Sequence, residues 1–200
     1  MASLSDFHFK CTKCGLCCSH HGLIVNLTPR DLKILAKHFK AEPKQLLKII
    51  GFYQVREDDN DSGNIEERLV FPPLKTNRGM AYMGLLKRSD GRCIFLKDEK
   101  CRIYSARPRL CQSFPFTFSR KSQGASISIT NFATRLCPGI GEGNAVNVEK
   151  VKKLGKKVLR DIESFFSFAN WWNNNHINEI NSEDELKPEE ILKALLDYRE

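Results

Sequence analysis

A chain of 200 residues, 41% hydrophobic and 28% charged, can bury about 70% of its unfolded surface in a core of its own, which excludes wholesale disorder and a fibrous repeat. Its formal charge of +8 admits an anionic partner without defining one. Eight cysteines exceed what packing such a core requires, so they need a chemical explanation.

Met1 to Lys10 lacks the apolar stretch of roughly 7–15 residues that a secretory signal needs, and no run of about 18 apolar residues occurs anywhere. The sequence therefore predicts a cytoplasmic protein without a membrane span. In that compartment thiols stay reduced, and a cysteine cluster points to a metal or redox centre before a disulfide framework.

After the first cysteine block, a helix is predicted to start at Thr28 as N-cap, with Pro29 at its first position, Asp31 in its first turn and Leu27 facing Leu32 as a staple. Leu32, Leu35, Ala36 and Phe39 recur at helical spacing as its buried stripe. A second short helix is predicted from Pro43 to Ile50, closed by Gly51 in a left-handed conformation. Strand-like pieces follow at Phe52 to Val55, Glu67 to Phe71, Met80 to Leu86, Cys93 to Leu96 and Ala125 to Thr130, divided by turn-rich stretches. Ser105, Arg107 and Pro108 can open a short helix carrying Cys111. Beyond the glycine-rich segment at Cys137 to Gly143, Asn147 caps a long helix whose Val151, Leu154, Val158, Ile162 and Phe165 form an apolar stripe, and a last helix runs near Pro188 to Tyr198. The fold class is α+β: a small, mostly antiparallel sheet, an N-terminal helix pair, a cysteine-cluster core over residues 1–146 and a helical extension over residues 147–200 packed on it.

The chemical signal is Cys11-x-x-Cys14-x-x-Cys17-Cys18. Three thiolates at intervals of three residues let a tight loop wrap one compact inorganic object, as ferredoxin loops do, whereas zinc more typically takes two thiolates from each of two knuckles. Consecutive residues point in different directions, so Cys17 and Cys18 are not equivalent ligands of one centre. Cys93, Cys101, Cys111 and Cys137 complete a set of eight, the thiolate number of two all-cysteine sites. One partition gives Cys11, Cys14, Cys17 and Cys137 to one centre and Cys18, Cys93, Cys101 and Cys111 to the other, with a single centre plus spare thiols left open. Arg102, Arg107 and Arg109 are placed to offset the negative charge of such centres, and the backbone N–H groups of Gly15 and Gly139 to donate to sulfur.

Taken together with Cys93-Ile94-Phe95-Leu96, Cys101-Arg102-Ile103-Tyr104-x-x-Arg107-Pro108-x-x-Cys111-x-x-Phe114-Pro115 and Cys137-Pro138-Gly139-x-Gly141, this motif resembles the YkgJ-type cysteine-cluster family, the CxxCxxCC zinc- or iron-chelating domain. The resemblance covers about Phe9 to Gly143 and leaves the C-terminal helices outside. It implies zinc or iron chelation. A related cysteine-cluster module resembles part of flagellin lysine methylase, which implies a modification or redox role.

Other features read as structural. His20 and His21 follow the loop but are not needed as ligands beside eight thiols. Asp58-x-Asn60-x-Ser62-Gly63 copies the front of an EF-hand loop, yet Leu69 stands where the bidentate glutamate is required. Gly139-x-Gly141-x-Gly143 departs from the dinucleotide fingerprint, and neither a Walker A sequence, a nucleophile elbow nor the C-x-x-x-C-x-x-C of radical S-adenosylmethionine enzymes is present. Lys150, Lys152, Lys153, Lys156, Lys157 and Arg160 form a basic helix face, read first as solvated and second as a nucleic-acid surface; Trp171 and Trp172 are read as packing. The expectation is a metalloprotein with [4Fe–4S] centres, one or two, acting in electron transfer or cluster-assisted modification of a protein partner. The alternatives are a zinc-stabilised interaction module without catalysis and a nucleic-acid-binding zinc protein.

Overall fold

The structure is a computed structural model that describes residues 4–21, 23–54, 71–121, 124–176 and 187–199. It is α+β, with seven α-helices and four small antiparallel sheets among the described residues. The chain forms two compact units, one from residues 1–23 and 88–160, the other from 24–87 and 161–200.

In the first unit, β1 (His8–Phe9) pairs antiparallel with β9 (Ile140–Ala145), and α1 (Leu16–Ser19) follows the first cysteine loop. The hairpin of β5 (Leu96–Lys97) and β6 (Lys100–Cys101) leads through a 3-10 turn at Tyr104–Ala106 to α4 (Arg109–Ser113). A longer hairpin joins β7 (Phe116–Lys121) to β8 (Gly124–Ile129) and is followed by α5 (Asn131–Leu136). The long helix α6 (Val148–Asn175) begins here, where the Asn147 Oδ1 accepts from the Lys150 N–H at 2.9 Å, and its stripe of Val151, Gly155 and Val158 is buried. Gly155 has no Cβ because one built there would lie 2.5 Å from the Phe118 ring of β7.

The second unit holds α2 (Pro29–Phe39), α3 (Pro43–Leu46), the three-stranded sheet β2–β4–β3 and α7 (Pro188–Asp197). At α2 the predicted cap is a full capping box: the Asp31 N–H donates to Thr28 Oγ1 at 3.2 Å, and the Thr28 N–H donates back to Asp31 Oδ2 at 3.2 Å. The central strand β4 (Gly79–Leu85) pairs with β2 (Ile50–Tyr53) on one side and β3 (Leu74–Thr76) on the other. The C-terminal half of α6 holds β3: Trp172 Nε1 donates to the Lys75 carbonyl at 3.0 Å, and the Asn173 carboxamide accepts from the Lys75 N–H and donates to the Pro73 carbonyl. Leu27, Leu32, Leu35, Phe165, Phe168, Ile191, Leu192 and Leu195 are fully buried.

Several expectations are corrected. Phe39, the last residue of the predicted α2 stripe, is 42% exposed, because the helix ends there and Lys40 turns left-handed at φ 49°. The second helix stops at Leu46, and Gly51 lies inside β2 opposite Gly84 rather than capping a helix, since pairing with β4 claims Ile50 onward. Cys93 to Leu96 is a turn closed by the Leu96 N–H donating to the Cys93 carbonyl at 2.9 Å, not a strand. The predicted strand at Glu67 to Phe71 and the EF-hand-like stretch lie outside the described residues, except for Phe71 itself, which is buried in a bend.

Candidate metal centre

Four backbone arrangements, all within the first unit, bring the cysteine segments together. Strand β1 ends one residue before the first cysteine loop, and the Lys10 N–H extends the β1–β9 ladder by donating to the Gly139 carbonyl at 3.0 Å. This puts Cys11 beside Cys137. Gly139 is required there, because a Cβ would meet the Lys10 carbonyl oxygen at 2.3 Å. In the loop itself Lys13 and Gly15 both take positive φ, 58° and 74°, which curls the chain so that Cys11, Cys14 and Cys17 follow one another around a bend. Gly15 also lets the tip of the β5–β6 hairpin approach, since a Cβ would come within 2.7 Å of the Glu99 carbonyl.

Cys17 and Cys18 occupy the single turn of α1, with their sulfurs 3.9 Å apart. The Cys93 N–H donates to the Cys18 carbonyl at 2.8 Å, so the turn holding Cys93 is fastened to α1 through the backbone. Arg88 braces that turn by donating to the carbonyls of Ile94, at 3.1 Å, and Leu96. Pairing of Leu96 with Cys101 in the hairpin then carries Cys101 to the same place.

The thiols respond to one another. Hydrogen bonding to Cys18 lowers the Cys17 thiol to about 7 and the Cys101 thiol to about 6, while Cys101 and then Cys17 push Cys18 far upward. Cys18 is thus the member of the three that favours the protonated form, and the charge of Cys93 also raises it. Burial raises Cys137, whose environment includes the charges of Cys14, Cys11 and Cys17, while the Gly139 N–H donates to its sulfur and opposes the rise. The Ile103 N–H does the same for Cys101. Both donors lie two residues after the cysteine they serve, the local turn by which a backbone N–H stabilises a ligating thiolate.

Of the three predicted arginines, Arg107 faces the thiols: its charge favours the thiolate of both Cys17 and Cys101. Its guanidinium stacks on Tyr104 at 4.2 Å, and the Lys13 ammonium covers the same ring at 4.8 Å, joining the first loop to the segment after Cys101. Arg102 instead pairs with Asp98 at 2.5 Å on the exposed hairpin, and Arg109 is buried at the start of α4. His20 packs edge-on against Phe132 at 4.5 Å, and His21 lies against Gly91.

None of the eight cysteines forms a disulfide. Cys17 and Cys18 are adjacent, Cys101 and Cys93 act electrostatically on Cys18, and the charges of Cys14, Cys11 and Cys17 reach Cys137; Cys111 stands half-buried on α4. Among the described residues no three ligating side chains stand in finished metal-ligating geometry. The donor set nevertheless suits a soft, thiolate-binding metal: sulfur only, thiols whose charges act on one another, and backbone N–H groups already aimed at sulfur. Sequence reading anticipated Gly139 and Arg107. It missed Ile103, Arg88 and Tyr104, for which the spacing from Cys101 was the available signal at two of the three.

An α+β chain whose backbone ties the segments of Cys11, Cys93, Cys101 and Cys137 to one cysteine loop has the makings of a cysteine-cluster protein of the metal-chelating class. Residues 10–138 match the family CxxCxxCC, described as "Putative zinc- or iron-chelating domain", and with most of its length covered the chain belongs to that family. An uncharacterized protein of Methanocaldococcus jannaschii, MJ0661, is 25% identical over 160 residues, covering 78% of this chain and 71% of its own. No solved structure matches the chain. Among the described residues no helix is long and apolar enough to cross a membrane.

Proposed function

We propose that the protein holds cysteine-ligated iron–sulfur centres, with Cys11, Cys14, Cys17 and Cys137 around one and Cys18, Cys93, Cys101 and Cys111 around the other, and serves a protein partner in the reducing cytoplasm by electron transfer or cluster-assisted modification. The observation that supports this reading is the backbone bond from the Lys10 N–H to the Gly139 carbonyl, which ties the start of the C-x-x-C-x-x-C loop to the segment of Cys137, whose thiol feels the charges of Cys14, Cys11 and Cys17. Three thiolates on a loop of that spacing, with a fourth from a distant segment, suit a [4Fe–4S] cluster. When bound, such a cluster supplies one-electron redox chemistry. The chain's own contribution is to favour the thiolates of Cys17 and Cys101 through Arg107, to donate N–H groups from Gly139 and Ile103, and to tie the segments through the β1–β9 ladder and the Cys93–Cys18 bond.

One observation favours a second reading, a single zinc ion on Cys17, Cys18, Cys93 and Cys101 in a non-catalytic interaction module. The 3.9 Å between the Cys17 and Cys18 sulfurs is close to the edge of about 3.8 Å that a tetrahedron with zinc–sulfur bonds of about 2.3 Å requires. Metal and acid-labile sulfide measured on anaerobically prepared Cys137→Ser and Cys93→Ser variants separate the two. Under the iron–sulfur reading Cys137→Ser loses about half of the iron and sulfide or more; under the zinc reading it keeps its metal and Cys93→Ser does not.

A further inference from the structure

From Lys150 to Arg160 the first three turns of α6 carry six cations, Lys150, Lys152, Lys153, Lys156, Lys157 and Arg160, all exposed. At 3.6 residues per turn they occupy an arc of about 160° over about 15 Å, opposite the buried Val151, Gly155 and Val158. The one carboxylate on the arc, Glu149, is taken by Lys152 at 3.0 Å. Among the described residues no carboxylate lies within ion-pair distance of the other five. The helix is seated on the β7–β8 hairpin by the Gly155–Phe118 contact.

A charge array of this kind has a restricted set of partners. The exposed residues from Glu149 to Arg160 are all charged, and none is aromatic or large and aliphatic. A protein–protein interface needs an apolar or aromatic centre, and single-stranded nucleic acid needs aromatic platforms for its bases; this arc offers neither. It offers cations alone at a density that a regular polyanion can meet, since 15 Å of duplex axis carries about nine phosphate charges. We infer that the N-terminal half of α6 is a docking surface for the phosphate backbone of double-stranded nucleic acid, bound without reading its bases. This goes beyond the metal-site reading and does not depend on it, because none of the residues involved is a cysteine or touches one in the account above.

The test uses the full chain with its metal as isolated, titrated against fluorescein-labelled mixed-sequence DNA and RNA duplexes by anisotropy over a range of KCl. With four to five phosphate contacts, log Kobs falls against log salt with a slope of about −4, a loss of about two hundred-fold between 50 and 200 mM KCl. The Lys153→Glu/Lys157→Glu double variant, with unchanged circular dichroism, metal content and thermal midpoint, weakens binding by at least about ten-fold and flattens the slope by about two. Lys44→Glu/Lys48→Glu, an equal change of net charge at exposed positions of the other unit, leaves binding within about two-fold. Binding of either duplex with this pattern supports the inference. Absence of duplex binding at 50 mM KCl, equal weakening by the two double variants, or tighter binding of polyglutamate or of single strands than of either duplex overturns it.

Discussion

At the scale of single residues, the centre depends on a few atoms that bring distant thiols into contact. Gly139 is one: its missing Cβ lets the Lys10 carbonyl approach, and the same residue's N–H reaches the Cys137 sulfur. Gly139→Ala should therefore push Cys11 and Cys137 apart, lowering stability by about 2 kcal/mol through overpacking against backbone and lowering the metal retained per chain. Thermal melts and elemental analysis of the variant check both, and an unchanged metal content would show that the Cys11–Cys137 approach is dispensable. Protons belong to the same scale. Ligation must expel the protons that the thiols hold or share, so affinity is highest at high pH and is lost as pH falls. Competition against a chelator should show metal affinity dropping at least about ten-fold for one pH unit of acidification near neutrality.

At the scale of elements, what could be read in the sequence was what is decided locally. Thr28, Pro29 and Asp31 carry the capping box in four consecutive residues, and Asn147 caps α6 in the same way, so both helix starts were legible. The strand-like run Met80 to Leu86, set off by turn-rich stretches, marked β4 for the same reason. Strand β1 is only two residues long and finds its partner more than 130 residues away, with no periodicity to announce it, yet it is the element that closes the first loop onto Cys137. Gly51 shows the converse failure: a glycine after an apolar helical pattern looks like a C-cap until the sheet claims it. The cap and the centre lie in different units, which separates their effects. Thr28→Ala should cost about 1 kcal/mol in a denaturant melt and leave metal content unchanged; a loss of metal in that variant would mean that the units do not hold their functions apart.

At the scale of the whole molecule, the eight cysteines were legible as ligand candidates because their spacing is sequence information, whereas the order in which they meet is set by the first unit's topology. That topology assembles residues 1–23 with 88–160, and the metal should stabilise this unit in proportion to how much of the closure it completes. The claim on which the rest stands is that thiols from far-apart segments are gathered by metal. Its most direct test is the iron, zinc and acid-labile sulfide content per chain of the anaerobically purified wild-type protein. Iron and sulfide are expected in equal amounts, about four of each per occupied centre, with a brown colour. Protein that folds to the same thermal midpoint with neither iron nor zinc in stoichiometric amount would contradict it.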